Sequence, residues 1–151
     1  MSSFINSGAA FSSDRDDWET PQTLFNKLDQ EFHFTLDAAA SPQNHKVDTY
    51  FTTKSDALQQ DWGGHMVFCN PPYSRRIVQW VAKASREASK PHTTVVLLLP
   101  ARTDTKWYHD FIQYRAEIRF LRGRLKFETH GLPNGSAPFP SMIVIMRTGE
   151  R

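Results

Sequence analysis

Four consecutive residues, Asn70-Pro71-Pro72-Tyr73, bring together groups suited to an amine carried on a flat ring. Each proline fixes its own φ and pushes the residue before it toward an extended conformation, so Asn70 and Pro71 are both stiffened. Neither proline has an N–H, so the stretch offers acceptors without competing donors. The Asn70 side-chain oxygen and the Pro71 backbone oxygen suit the two hydrogens of one amino group. Tyr73 adds a face for a planar ring, and base–aromatic stacking is worth about 1–3 kcal/mol. Two accepted hydrogen bonds localise a nitrogen lone pair that the ring would otherwise delocalise, which prepares it to attack a sulfonium methyl. No strong base is needed first, because the nitrogen becomes acidic once methylated, so positioning and electrostatics carry the rate. The structural alternative is a proline-stiffened turn with Asn70 capping the helix that follows.

The surrounding pattern predicts the elements that hold this segment. Thr20 before Pro21 reads as a helix cap with proline at the first helical position. Leu24, Phe25, Leu28 and Phe32 then give a helix of about 11 residues with one apolar face. Residues 32–37 alternate and end in an acid, which predicts a strand, and residues 44–50 read as a short helical turn. Asp56-Ala57-Leu58 falls in a loop. A strand over 66–69 stops at the Asn-Pro-Pro-Tyr segment, and a helix follows over 76–89. The run Val95-Val96-Leu97-Leu98-Leu99 suits a strand buried on both faces of a parallel sheet. A helix over 103–114 and closing strands over 118–121, 124–127 and 142–146 complete the order. This is the pattern of an α/β three-layer domain with a mostly parallel sheet, whose ligands bind beyond the carboxyl ends of the strands.

The 151 residues, 39% of them hydrophobic, fit one domain over 18–151 behind a flexible arm over 1–17. The arm is polar and acidic and does not read as a secretory signal, and no apolar run approaches the roughly 18 residues of a membrane span. A cytoplasmic protein is expected. One thiol, Cys69, excludes an internal disulfide framework and a multi-cysteine zinc module, and the six histidines are scattered, so no metal is expected. The net charge of +2 hides a break. Residues 1–70 carry four basic and ten acidic side chains, whereas residues 71–151 carry 14 basic and six acidic ones. Such asymmetry points to two faces, one of them suited to a polyanion, or to a dipolar surface without further meaning.

These residues together resemble the phage DNA N6-adenine methyltransferase (Dam-like) family, within the Rossmann-like S-adenosylmethionine-dependent methyltransferases. Asn70-Pro71-Pro72-Tyr73 matches the amino-methylation motif of that superfamily, with a strand before it and a helix after it. Trp18-Glu19-Thr20-Pro21 resembles the family's N-terminal Trp-x-Thr-Pro segment, which in related enzymes lies against the methionine part of the cofactor. Leu36-Asp37-Ala38-Ala39-Ala40 resembles a shortened first cofactor-binding motif, with alanines where methyltransferases usually carry a glycine-rich loop. Asp56-Ala57-Leu58 resembles the Asp-Ala-Leu that approaches the adenosine. The resemblance spans roughly residues 18–146.

It implies a S-adenosyl-L-methionine cofactor and a DNA substrate, with Asn70, Pro71, Pro72 and Tyr73 catalytic. Trp18, Thr20 and Pro21, Asp37, Ala38 and Ala39, and Asp56, Ala57 and Leu58 are the implied cofactor contacts. Asp37 would meet the amino-acid part and Asp56 the ribose or adenine edge. The local alternatives are that Asp37 caps a turn and the alanines simply pack. Arg75 and Arg76, Arg102 and Lys106, and Arg122, Arg124 and Lys126 fall in connections, where they would position DNA through its phosphates without reading its sequence. A duplex base must flip out to be methylated, at a cost of about a few kcal/mol. The loop over 128–140, with Phe127 and Phe139 at its edges, is the candidate cover for that base, unless both rings belong to the core. Target reading would come from residues 101–107 and 122–140. Two other functions fit the same residues: methylation of a protein glutamine amide, and a non-catalytic DNA-binding module that keeps the fold.

Overall fold

Helix α1, Gln22–Phe32, buries Phe25, Leu28 and Phe32 along one face. Thr20 is not its cap. Pro21 occupies the N-cap without a capping side chain, and the Gln22 N–H donates instead to the Glu128 carboxylate at 3.3 Å. The helix ends at His33, whose left-handed backbone (φ 56°) turns the chain sharply. That turn is why the alternating residues 32–37 do not form one strand: only Leu36–Asp37, β1, pairs in the sheet. Phe34 instead joins Phe25, Phe32 and Phe68 in a ring cluster with neighbouring centroids 5.2–5.7 Å apart. The computed structural model describes residues 18–147, so the arm predicted over 1–17 lies outside the described residues.

Residues 44–50 are not helical. Ser41 and Asn44 exchange backbone hydrogen bonds at 3.1 Å, and Tyr50 bridges to Asp37. A 3-10 turn, Ala57–Gln59, follows where a loop was expected. Strand β2 is Met66–Cys69, and helix α2 is Ile77–Ala88, each end one residue inside the expected 76–89. Strand β3, Thr94–Pro100, holds the apolar run, and Val95 to Leu99 are fully buried. Helix α3 contracts to Lys106–Phe111, capped by the Thr105 hydroxyl, which accepts from the Tyr108 N–H. Strand β4, Glu117–Phe120, and the last strand, Ser141–Arg147, join the same sheet.

The stretch predicted as a strand over 124–127 is not a rung of that sheet. Leu125 and Phe127 accept through their carbonyls from the Ala137 and Asn134 N–H groups, both at 2.8 Å. Beyond them a small hairpin forms from β5, Glu128–Thr129, and β6, Leu132–Pro133. Its turn is His130-Gly131, both at positive φ (53° and 81°), the backbone that a two-residue hairpin turn requires and that glycine adopts without strain. With that pair counted, Ser141–Arg147 is β7.

The five-stranded sheet has the order β1-β2-β3-β7-β4. β1, β2 and β3 are parallel, while β7 runs antiparallel to both β3 and β4. β4 therefore points the same way as β1 to β3, and four of the five strands share a direction. The apolar run of β3 is buried as expected, but one of its two neighbours is antiparallel. Helix α2 packs on β3, β7 and α3.

Candidate active site

The strand directions bring every chemically distinctive segment to one edge. β1 ends at Asp37, β2 at the residue before Asn70, and β3 at the residue before Ala101. The 121–140 connection leaves β4 and re-enters at β7 on that same edge, where the Ala101 N–H donates to Pro140 O and the Leu121 N–H to Ser141 O. A cleft of about 660 Å3 opens there. That lies within the size range of small-molecule and cofactor sites. Its walls include Trp18 and Thr20, Asp37, Ala38 and Ala39, and Asp56, Ala57 and Leu58, together with Asn70, Pro71 and Pro72. Pro21 and Tyr73 are not in the lining.

Asn70 is held from one side only. Its Nδ2 donates to the Trp18 carbonyl at 2.8 Å and to the Thr20 hydroxyl at 3.0 Å, which uses both amide protons. Its Oδ1 is buried and accepts no hydrogen bond among the described residues. The Pro71 carbonyl also accepts no hydrogen bond among the described residues. An unsatisfied buried acceptor costs about 1–3 kcal/mol, so the cleft wall is poised to take a donor. Asn70 does not cap α2, whose N-cap is Arg76.

Tyr73 lies differently from the open face expected of it. The side chain is 5% exposed, and its hydroxyl donates to Leu98 O at 2.8 Å. Its ring meets Phe139 at 5.6 Å and Phe127 at 6.2 Å, both edge-on, and Trp18 packs against the same two phenylalanines at 5.5 and 5.3 Å. Phe127 and Phe139 are buried core rings here. Burial pushes the phenol of Tyr73 well above its ordinary 10.0. Cys69, behind the motif, is fully buried, and desolvation likewise raises its thiol, which removes thiolate chemistry from the wall.

The two acidic positions differ in kind. Asp37 is buried, and its carboxylate accepts from the Lys46 N–H at 2.9 Å and the Ala39 N–H at 3.3 Å. Desolvation dominates over those bonds and raises its pKa. It organises the 37–46 loop from within. Asp56 is exposed, sits at φ 54° and makes no side-chain hydrogen bond among the described residues. Asp tolerates the left-handed region better than most residues, and such backbones cluster at ligand sites. Behind it a buried network fixes the 3-10 turn. The Trp62 Nε1–H donates to Ala57 O, Lys83 Nζ to Gln60 O, and the Trp62 N–H to the Glu87 carboxylate, which also pairs with Lys83 at 3.2 Å.

The sequence did not single out the further wall residues Phe51, Ser74, Trp80 and Lys46, whereas His130 comes from the 128–140 loop expected to cover a base. Of the seven basic positions only Arg76 reaches the cleft. All seven are exposed: Arg75, Arg76, Arg102, Lys106, Arg122, Arg124 and Lys126. Lys106 is paired with Asp110, Arg76 donates to Gln79, and Arg124 reaches Ala137 O.

The fold is a mixed α/β domain with a cleft at the carboxyl edge of the sheet, lined in part by Asn70, Pro71 and Pro72. Residues 8–151 match the family model of DNA N-6-adenine-methyltransferase (Dam), and the chain belongs to that family. It is 34% identical over 111 residues to the DNA N-6-adenine-methyltransferase of Haemophilus phage HP1 (strain HP1c1), covering 72% of this chain and 64% of the relative. It is 31% identical over 119 residues to the enzyme of the same name from Escherichia phage T1, covering 78% of this chain and 49% of the relative. A shorter match, 34% over 65 residues, is to the putative methyltransferase YfdM of Escherichia coli (strain K12), covering 38% of this chain and 71% of the relative. The chain thus spans less than two thirds of either phage enzyme.

Proposed function

We propose that the chain transfers a methyl group from S-adenosyl-L-methionine to the 6-amino group of adenine in DNA, with the base flipped against the Asn-Pro-Pro-Tyr segment. The observation that carries this reading is a pair of acceptors without a donor among the described residues, Asn70 Oδ1 and Pro71 O, on two residues that line the cleft, beside an amide whose two protons are already committed. Accepting both hydrogens of an exocyclic amine, they hold its nitrogen and draw its lone pair out of conjugation. When bound, the cofactor supplies an electrophilic methyl on a sulfonium.

The donor set favours such a cation. Asp56 presents a free carboxylate to the cleft, and Leu58, Phe51 and Trp80 give apolar wall for an adenine. Asp37 holds the loop that shapes the floor. Exposed Arg75, Arg102, Arg122 and Lys126 sit in the three connections that leave the carboxyl edge, where phosphates would meet them. We also read the domain as the three-layer Rossmann-like arrangement: α1 reaches Phe68 of β2 through Phe25, and α2 packs on β3 and β7. Among the described residues no helix is long and apolar enough to cross a membrane. The phage relatives support action in a bacterial cytoplasm.

The test is methyl transfer from labelled cofactor to DNA, followed by nucleoside analysis. Label in N6-methyladenine is the expected result. Label in cytosine alone would remove the adenine assignment, and label in a glutamine-containing peptide but not in DNA would favour protein amide methylation.

A further inference from the structure

We propose that Thr20 is a positioning residue for the Asn70 amide rather than a contact to the cofactor; the inference rests on the methyl-transfer reading above. Thr20 is 3% exposed, and its Oγ1 lies 3.0 Å from Asn70 Nδ2, while the Trp18 carbonyl takes the other amide proton at 2.8 Å. An asparagine side chain has two orientations of similar shape and opposite polarity. The observed one leaves Oδ1 of this cleft-lining residue without a donor among the described residues. The reverse would set Oδ1 against the Trp18 carbonyl and turn two N–H donors toward the hydrogens of an incoming amine. The Trp18 carbonyl, which can only accept, selects the orientation able to receive an amino group, and the Thr20 hydroxyl holds it by taking the second amide proton.

The 18–20 segment can do this because it is fixed independently of any ligand. Glu19 and Glu128 exchange backbone hydrogen bonds at 3.0 and 2.9 Å, and the Gly131 N–H donates to the Glu19 carboxylate at 3.2 Å. The β5–β6 hairpin thus anchors the 18–20 segment that orients Asn70. A covering hairpin and a catalytic amide some sixty residues apart in sequence act as one unit.

The experiment compares Thr20→Val, nearly the same shape without the hydroxyl, with Thr20→Ser, which keeps it. Transfer is measured at saturating cofactor, and hydrogen exchange of the Asn70 side-chain amide is followed by NMR in the same proteins. In T20V, kcat is expected to fall about tenfold or more with the cofactor KM within about twofold, and T20S to recover most of the loss. One Asn70 amide proton is expected to exchange about tenfold faster in T20V. Thr20→Ala is read in the same way should T20V not fold. Unchanged kcat with unchanged exchange overturns the proposal, as does a raised cofactor KM at constant kcat. A wild-type chain that methylates no DNA counts against the function, while the amide exchange still decides the orientation.

Discussion

Tyr73 carries two jobs that its position in the motif suggests only in part. Its ring closes the aromatic group formed with Phe127, Phe139 and Trp18, and its hydroxyl satisfies the Leu98 carbonyl inside the sheet. Tyr73→Phe should therefore unfold at lower urea, with a loss of about 1 kcal/mol, because it leaves that buried carbonyl short of a donor. Unchanged stability would mean that the hydroxyl does not hold β3. At this scale the Asn-Pro-Pro-Tyr segment of the cleft wall was legible in the sequence because its groups are contiguous: adjacent residues supply the acceptors and their rigidity. The Thr20 bond to Asn70 was not, since it joins residues 50 apart. A threonine before a proline has a strong local reading as a helix cap, and that reading gave way to a tertiary partner.

Among the elements, the lengths and places of α1, α2, β2, β3 and β7 follow from periodicity and apolar runs. What the pattern does not encode is the direction of β7. A buried apolar strand looks the same whether its neighbour is parallel or antiparallel. Yet that direction is what places the 121–140 connection at the cleft. The 3-10 turn beside Asp56 depends on helix α2 through the buried Glu87. Burial alone raises the Glu87 pKa, but its hydrogen bonds from Lys90, the Trp62 N–H and Lys83 outweigh that and hold it below the ordinary 4.5. A depressed carboxyl contributes stability that is present above its unfolded value and lost as pH falls through the folded one. Glu87→Gln should thus flatten the fall of unfolding free energy below about pH 4.5, measured by urea titration between about pH 3 and 6. A variant with the wild-type acid slope would show that Glu87 is not the group responsible.

Over the whole molecule, the charge break at residue 70 is only partly a spatial division. Arg119 and Arg147 are spent on the acids of the sheet margin, Arg119 bidentate on Glu31 and both reaching Glu117. Among the described residues Arg75, Arg102, Arg122 and Lys126, in the carboxyl-edge connections, are exposed cations without an ion pair, as are Lys27, Lys54, Arg86 and Arg115 outside them. DNA affinity should fall steeply with salt, and Arg122→Ala or Lys126→Ala should each lower the slope of log K against log salt by about 1. A slope unmoved by both would place the phosphate surface elsewhere. All of this converges on one acceptor. The most direct measurement is labelled methyl transfer to DNA by the wild-type chain and by Asn70→Ala, with cofactor affinity measured by calorimetry on both. The account predicts N6-methyladenine from the wild type, a loss of about a hundredfold or more in Asn70→Ala, and cofactor affinity little changed. Equal transfer by the two proteins would contradict it.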